Sequence, residues 1–205
     1  MSTMELTRAE VVARRTKSSR RPRADRLYSG TDLLNHPEWG PCELIRGKVV
    51  PVCRPNYIHG KLMTEIASEL RSHVKKNRLG SVISGDSGIY LERSPDTVRG
   101  PDVYFVSAAR EPAKANQDKY LEVAPELCVE IVSPKDRWSN ILSKVHMYLA
   151  IGVKIVWVID PQTRVVQIYR QNKGVSMLEA DGILCGEDVI PGFELPLKDL
   201  FGLLE

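Results

Sequence analysis

No stretch of this sequence approaches the ~20 consecutive apolar residues that a bilayer-spanning helix needs, so no membrane partner is expected. The first residues include Arg14 and Arg15 but no apolar core of a secretory signal, which points to the cytoplasm. Cysteine is sparse: Cys42, Cys53, Cys128 and Cys185 are scattered without metal-ligand spacing. That pattern argues against zinc and for a reducing compartment, with Cys128 and Cys42 read as small core residues. Ser133, Ser143 and the cysteines have no His or Asp partner at a readable spacing, which leaves nucleophilic catalysis unsupported. Gly85, Gly88 and Gly100 match neither standard phosphate-loop spacing. With three Phe and three Trp among its 205 residues, the chain has little to line a sugar cleft. There is no internal repeat and no low-complexity segment.

Nor is there an excess of charge where a nucleic-acid binder would be expected to carry it. The formal net charge is +3. Residues 1–26 alone hold eight basic and three acidic residues, a local +5, and the remainder of the chain is at −2. The basicity therefore belongs to a tail, residues 1–26, which reads as unstructured. Residues 27–205 read as one domain, a length that supports a full core. The tail suits either phosphate contacts or plain solvation.

What is present is an alternation of helical and strand patterns. Ser29 to Asp32 has the spacing of a capping box, opening a short helix that Pro37 closes. Residues 43–50 read as a hairpin turning at Arg46-Gly47. Residues 56–78 form the strongest helix, with Ile58, Leu62, Ile66, Leu70 and Val74 at four-residue steps and Gly80 just past its end. Strands are expected at 81–83, 88–92, 101–106, 126–134, 155–159 and 164–170, then short edge strands around Leu178, Ile183-Leu184 and 190–192 before a C-terminal turn at 197–204. A second helix is expected over 140–150. The sum is an α/β domain with a mixed sheet.

Residues 126–134, ELCVEIVSP, organise the reading. Glu130 sits inside an apolar run that reads as a buried strand. A buried carboxylate costs several kcal/mol unless a cation or donors meet it. The compensation is a metal shared with another carboxylate, a nearby Lys, or solvent at the strand end. The second carboxylate is Asp102, after Pro101 at the start of another apolar run. On the 140–150 helix, Ile141, Val145, Tyr148 and Leu149 share one face, and Lys144 lies at its margin, able to snorkel toward the sheet end.

The order Pro101-Asp102 … Glu130-Ile131-Val132 resembles the PD-(D/E)xK nuclease superfamily, with Val132 where the usual lysine stands. The flanking residues 125–134, then Lys144, Tyr148, Gly152-Val153 and 157–161, resemble the Uma-type restriction endonuclease family, over roughly Tyr28 to the C-terminus. In that family the lysine has migrated to the next helix. The resemblance implies a restriction-endonuclease-like fold and a Mg²⁺-dependent endonuclease acting on DNA, with Mn²⁺ as a substitute ion. It implies a homodimer, as enzymes that cut both strands use. Asp102 and Glu130 would hold the metal, which takes oxygen ligands. Lys144 would stabilise charge at the phosphate. Glu43, in a Glu-Leu-x-x-Gly setting, would assist; its alternative is the outer face of a hairpin. His59, at the start of the long helix, would touch phosphate or move a proton, or be a polar residue of the first turn. Asp86 would line the same cleft or serve its own turn. The alternatives for the whole are a nuclease fold with a decayed site that binds DNA or regulates, and a self-assembling structural protein.

Overall fold

The computed structural model describes residues 21–205; residues 1–20, most of the basic tail, lie outside the described residues. Residues 21–26 adopt no regular element, yet they are attached to the domain. The Arg23 N–H donates to the Tyr28 hydroxyl, and Lys48 Nζ donates to the Ala24 carbonyl.

Helix α1 (Gly30–Asn35) starts on the expected capping box. The Ser29 side chain accepts from the Asp32 N–H, and the Asp32 carboxylate accepts from the Ser29 N–H at 2.8 Å. Strands β1 (Cys42–Ile45) and β2 (Lys48–Pro51) form the expected hairpin. Its two turn residues, Arg46 and Gly47, both have positive φ, at 48° and 74°, the geometry that matches strand twist in a two-residue hairpin.

Helix α2 (Tyr57–Asn77) comes next, capped by Asn56, whose side chain accepts the His59 N–H. It buries His59, Leu62, Ile66, Leu70 and Val74. The apolar stripe is thus one residue out of register at its start: Ile58 is 44% exposed and His59 takes the buried place. At the other end the helix stops on Arg78, in the left-handed region at φ 54°, with the Leu79 N–H closing onto Val74 O. Gly80 instead opens the next strand, where a Cβ would lie 2.1 Å from Val106 O.

The chain continues through β3 (Gly80–Ser84), β4 (Ile89–Glu92), β5 (Thr97–Arg99), β6 (Val103–Ser107) and β7 (Leu127–Ile131). Helix α3 (Trp138–Ala150) then carries it to β8 (Ile155–Asp160), β9 (Val165–Arg170), β10 (Ser176–Leu178), β11 (Ile183–Cys185) and β12 (Glu194–Pro196). Helix α4 (Leu197–Gly202) stands where a turn was expected, and residues 190–192 form a turn where an edge strand was expected. Strand β5 has no counterpart in the sequence reading, and Pro101 and Asp102 precede β6 rather than belonging to it.

Six strands make the main sheet in the order β10-β9-β8-β7-β6-β3. Its one parallel pair is β7 with β8, joined by α3 as a crossover. A second sheet has the order β2-β1-β5-β4. Both faces of the main sheet are covered, so β7 is buried at all five positions. Leu127, Val129 and Ile131 face the core shared with α2 and α4, while Cys128 and Glu130 face the side shared with α3. A mixed sheet flanked by helices is the architecture expected.

The register of α2 yields a stability contrast. Ile66→Ala, at a fully buried site, is expected to lower unfolding free energy by about 2–5 kcal/mol. Ile58→Ala is expected to stay within about 0.5 kcal/mol. Urea denaturation followed by circular dichroism checks both, and equal losses would contradict the observed register.

Candidate active site

The alternation of β7 aims Glu130 at α3, and the four-residue step of a helix brings Lys144 and Tyr148 to meet it. Lys144 Nζ donates to Glu130 Oε2 at 2.8 Å, and the Tyr148 hydroxyl donates to Oε1 at 2.6 Å. Of the three ways to compensate Glu130, the protein itself supplies the lysine, and adds a phenol to which the sequence reading had given no chemical role. Burial pushes the Glu130 carboxyl up, partly offset by the Lys144 charge and the two hydrogen bonds. For Lys144 burial works against the ammonium, but Glu130 and Glu43 outweigh it and hold its pKa above the ordinary lysine range. Burial, then the Glu130 charge, raises the Tyr148 phenol far above its usual value, so it remains a neutral donor.

Asp102 is fastened to the same strand. Its backbone N–H donates to Val129 O at 3.1 Å, and its Oδ2 accepts the Ile131 N–H at 2.5 Å. Oδ1 lies 3.1 Å from His59 Nε2 at the start of α2. His59 and Asp102 are both buried. Burial, then repulsion from Glu130, raises the Asp102 pKa well above its ordinary 3.8. Burial lowers the His59 pKa, against the pull of Asp86 and Asp136. The approach to Asp102 requires glycine at position 100, where a Cβ would meet Asp86 O at 2.3 Å.

The second sheet brings the remaining charges. Leu44 of β1 pairs with Val98 of β5 in antiparallel register, which sets Glu43 across from Arg99. Arg99 Nη1 donates to Glu43 Oε2 at 3.2 Å, and Glu43 Oε1 lies 3.6 Å from Lys144 Nζ. Glu43 is therefore buried between two cations rather than displayed on an outer hairpin face.

All five residues singled out in the sequence, Glu43, His59, Asp102, Glu130 and Lys144, line one cleft of about 800 Å³, and Asp86 lines it too. The sequence reading missed Arg99 and the role of Tyr148. Tyr148 was detectable as the residue one helical turn beyond Lys144. Arg99 had a weaker signal, its place three residues before Asp102.

Two carboxylates at adjoining strand ends offer only oxygen donors. Each of their four oxygens has one protein partner, and a carboxylate oxygen has a second lone pair to give. Among the described residues no group of three or more His, Cys, Asp or Glu converges as a metal cage. That donor set does not suit zinc or a fully protein-bound calcium. It fits Mg²⁺, which is held by one or two carboxylates with water and phosphate completing its shell. Asp102 and Glu130 are the residues that would hold it.

A family model for Uma2, described as "Putative restriction endonuclease", matches residues 31–198. Among solved structures the chain is similar to one described as "a putative nuclease belonging to DUF820" from Anabaena variabilis ATCC 29413. The two share 24% identity over 84% of this chain and 98% of that one, with a TM-score of 0.72. At that identity the likeness speaks for the fold. No curated protein matches the chain.

The raised Asp102 pKa fixes the sign of a pH effect. The folded state keeps the proton in a window where the unfolded chain has released it, so this group's stabilisation is full below about pH 3.8 and is lost as pH rises through the raised value. In metal-free buffer, the urea midpoint of Asp102→Asn minus that of the wild type is expected to grow between about pH 4.5 and about pH 8. A difference that is flat or shrinking would contradict the assignment.

Proposed function

The chain belongs to the Uma2 restriction endonuclease family, and from that premise we propose that it is a Mg²⁺-dependent endonuclease that hydrolyses phosphodiester bonds in DNA. The observation that carries this reading is the ion pair of buried Glu130 with half-buried Lys144, standing beside Asp102 in one cleft. Two carboxylates and an ammonium in that arrangement match the needs of a phosphoryl centre, where negative charge grows on the phosphate oxygens as water attacks. Bound between Asp102 and Glu130, the ion would lower the pKa of water and neutralise phosphate charge.

Each side chain has a task set by its partners. Tyr148 and Lys144 fix both oxygens of Glu130, so the carboxylate presents its free lone pairs in one orientation. The Ile131 N–H and His59 do the same for Asp102. Lys144 is held charged, which makes it a stabiliser of developing negative charge rather than a proton acceptor. Glu43 gives Lys144 a second anionic neighbour at 3.6 Å. In the balanced reaction a water oxygen bonds to phosphorus, one bridging P–O bond breaks, and the departing oxygen takes up a proton. Mn²⁺, an oxygen-loving ion of similar demands, should substitute. Cutting both strands of a duplex calls for two sites, and a homodimer supplies them.

Supercoiled plasmid is the test substrate. Metal-dependent nicking is expected with Mg²⁺ or Mn²⁺ and none in EDTA. Asp102→Asn, Glu130→Gln and Lys144→Met are each expected to slow it by at least about 100-fold. Nicking that persists in EDTA, or in Asp102→Asn at the wild-type rate, would contradict the reading. A wild type that binds DNA but leaves it intact would move the reading to a decayed-site binding module.

A further inference from the structure

Arg99 is the cation of the cleft that the proposed chemistry leaves without a full set of partners. It is buried, with 9% of its surface exposed, and it lines the cleft. Among the described residues its guanidinium makes one hydrogen bond, from Nη1 to Glu43 Oε2. Its Nε–H is buried and meets no acceptor among them. A buried donor left unmet is costly, and guanidinium groups are buried where they are fully paired. The other cations of the cleft differ from it. Lys144 is committed to Glu130 and Glu43, and Arg54 and Lys135 are exposed.

Geometry selects the ligand. With Nη1 turned to Glu43, the Nε–Nη2 edge of the guanidinium is the one not used by the protein. That edge presents two parallel N–H groups in the spacing that two oxygens of a phosphate match. It is held firmly in place. Val98 beside it is buried in the small core with Tyr28, Leu33 and Leu44, β5 is paired on both sides, and Glu43 fixes the far nitrogen. From Arg99 the chain runs through Gly100 and Pro101 directly to Asp102, so this edge and the carboxylate pair are separated by two residues of constrained backbone.

We propose that Arg99 is the phosphate clamp of the cleft, its Nε–Nη2 edge binding two non-bridging oxygens of a phosphodiester beside the Asp102–Glu130 carboxylates. The proposal deepens the nuclease reading and rests on it for the identity of the ligand as a nucleic-acid phosphate; the anion site itself stands on the geometry of Arg99. It gives Glu43 a second duty, since one carboxylate orients both the clamp and Lys144.

Arg99→Lys in the full chain separates a clamp from a counterion. Lysine keeps a positive charge opposite Glu43 but has no two-pronged edge. Thermal unfolding close to that of the wild type is expected, together with affinity for a short duplex in Ca²⁺ weakened by at least about tenfold. Wild-type affinity in Arg99→Lys would overturn the proposal and leave Arg99 as the partner of Glu43. A second readout requires neither cleavage nor a variant that folds well. The Arg99 Nε–H resonance of the wild-type protein is followed by ¹H–¹⁵N NMR during titration with inorganic phosphate. A saturable shift at Arg99, with exposed arginines unmoved, is expected. No shift at Arg99, or the same shift at all arginines, would overturn the clamp. A saturable shift in a protein that never nicks plasmid would keep the clamp and remove only the nuclease reading.

Discussion

One carboxylate, Glu130, stands at the centre of a sheet buried on both faces, and the elements around it are arranged to tolerate its charge. Strand β7 must be central for its neighbours Leu127, Val129 and Ile131 to join the main core. Once it is central, its alternate residues face α3, and Glu130 is left almost wholly buried at the floor of the cleft. Helix α3 answers with Lys144 and Tyr148 one turn apart, giving each carboxylate oxygen a donor. Placing two such charges out of water is expensive even when they are paired. The pairing therefore does not account for the fold's stability; packing on the two faces of the sheet does. The raised pKa values of Asp102 and Glu130 are the record of that expense. They mark a site that is less stable in its charged form than a neutral core would be.

The charges are also ordered in space. Arg99, Glu43, Lys144 and Glu130 alternate in sign along a chain of contacts from the second sheet to the first. Each acid in it touches a cation, and Asp102 adds a further buried acid beside them. Such a row leaves the cleft floor with one more acid than base, which a divalent ion would reverse, turning the floor attractive to phosphate. The two sheets are thus coupled through the site: β1 and β5 contribute Glu43 and Arg99, β7 and α3 contribute Glu130 and Lys144.

Much of this was legible in the residues, for reasons that can be given one by one. The buried strand announced itself through an unbroken apolar run with a single acid in it. The hairpin was marked by Arg46-Gly47, and α1 by Ser29 and Asp32. What was not legible depended on tertiary contacts. Strand β5 is three residues long, too short for any alternation to show, and it is a strand because β1 and β4 pair with it. Arg99 was lost with it. Ile58 outranked His59 on apolarity alone, while the partner that buries His59, Asp102, is 43 positions away in the chain. Gly80 was read as the mark just beyond the end of α2; the left-handed residue that stops the helix is Arg78, and Gly80 is required by the close passage of β6.

On the proposed function, Asp102 and Glu130 together would hold one divalent ion. The most direct test is Mn²⁺ binding, followed by electron paramagnetic resonance with a short phosphorothioate duplex present to complete the ion's shell without cleavage. One tightly bound Mn²⁺ per chain is expected in the wild type, lost in both Asp102→Asn and Glu130→Gln. Equal binding in all three proteins, or none in the wild type, would contradict it.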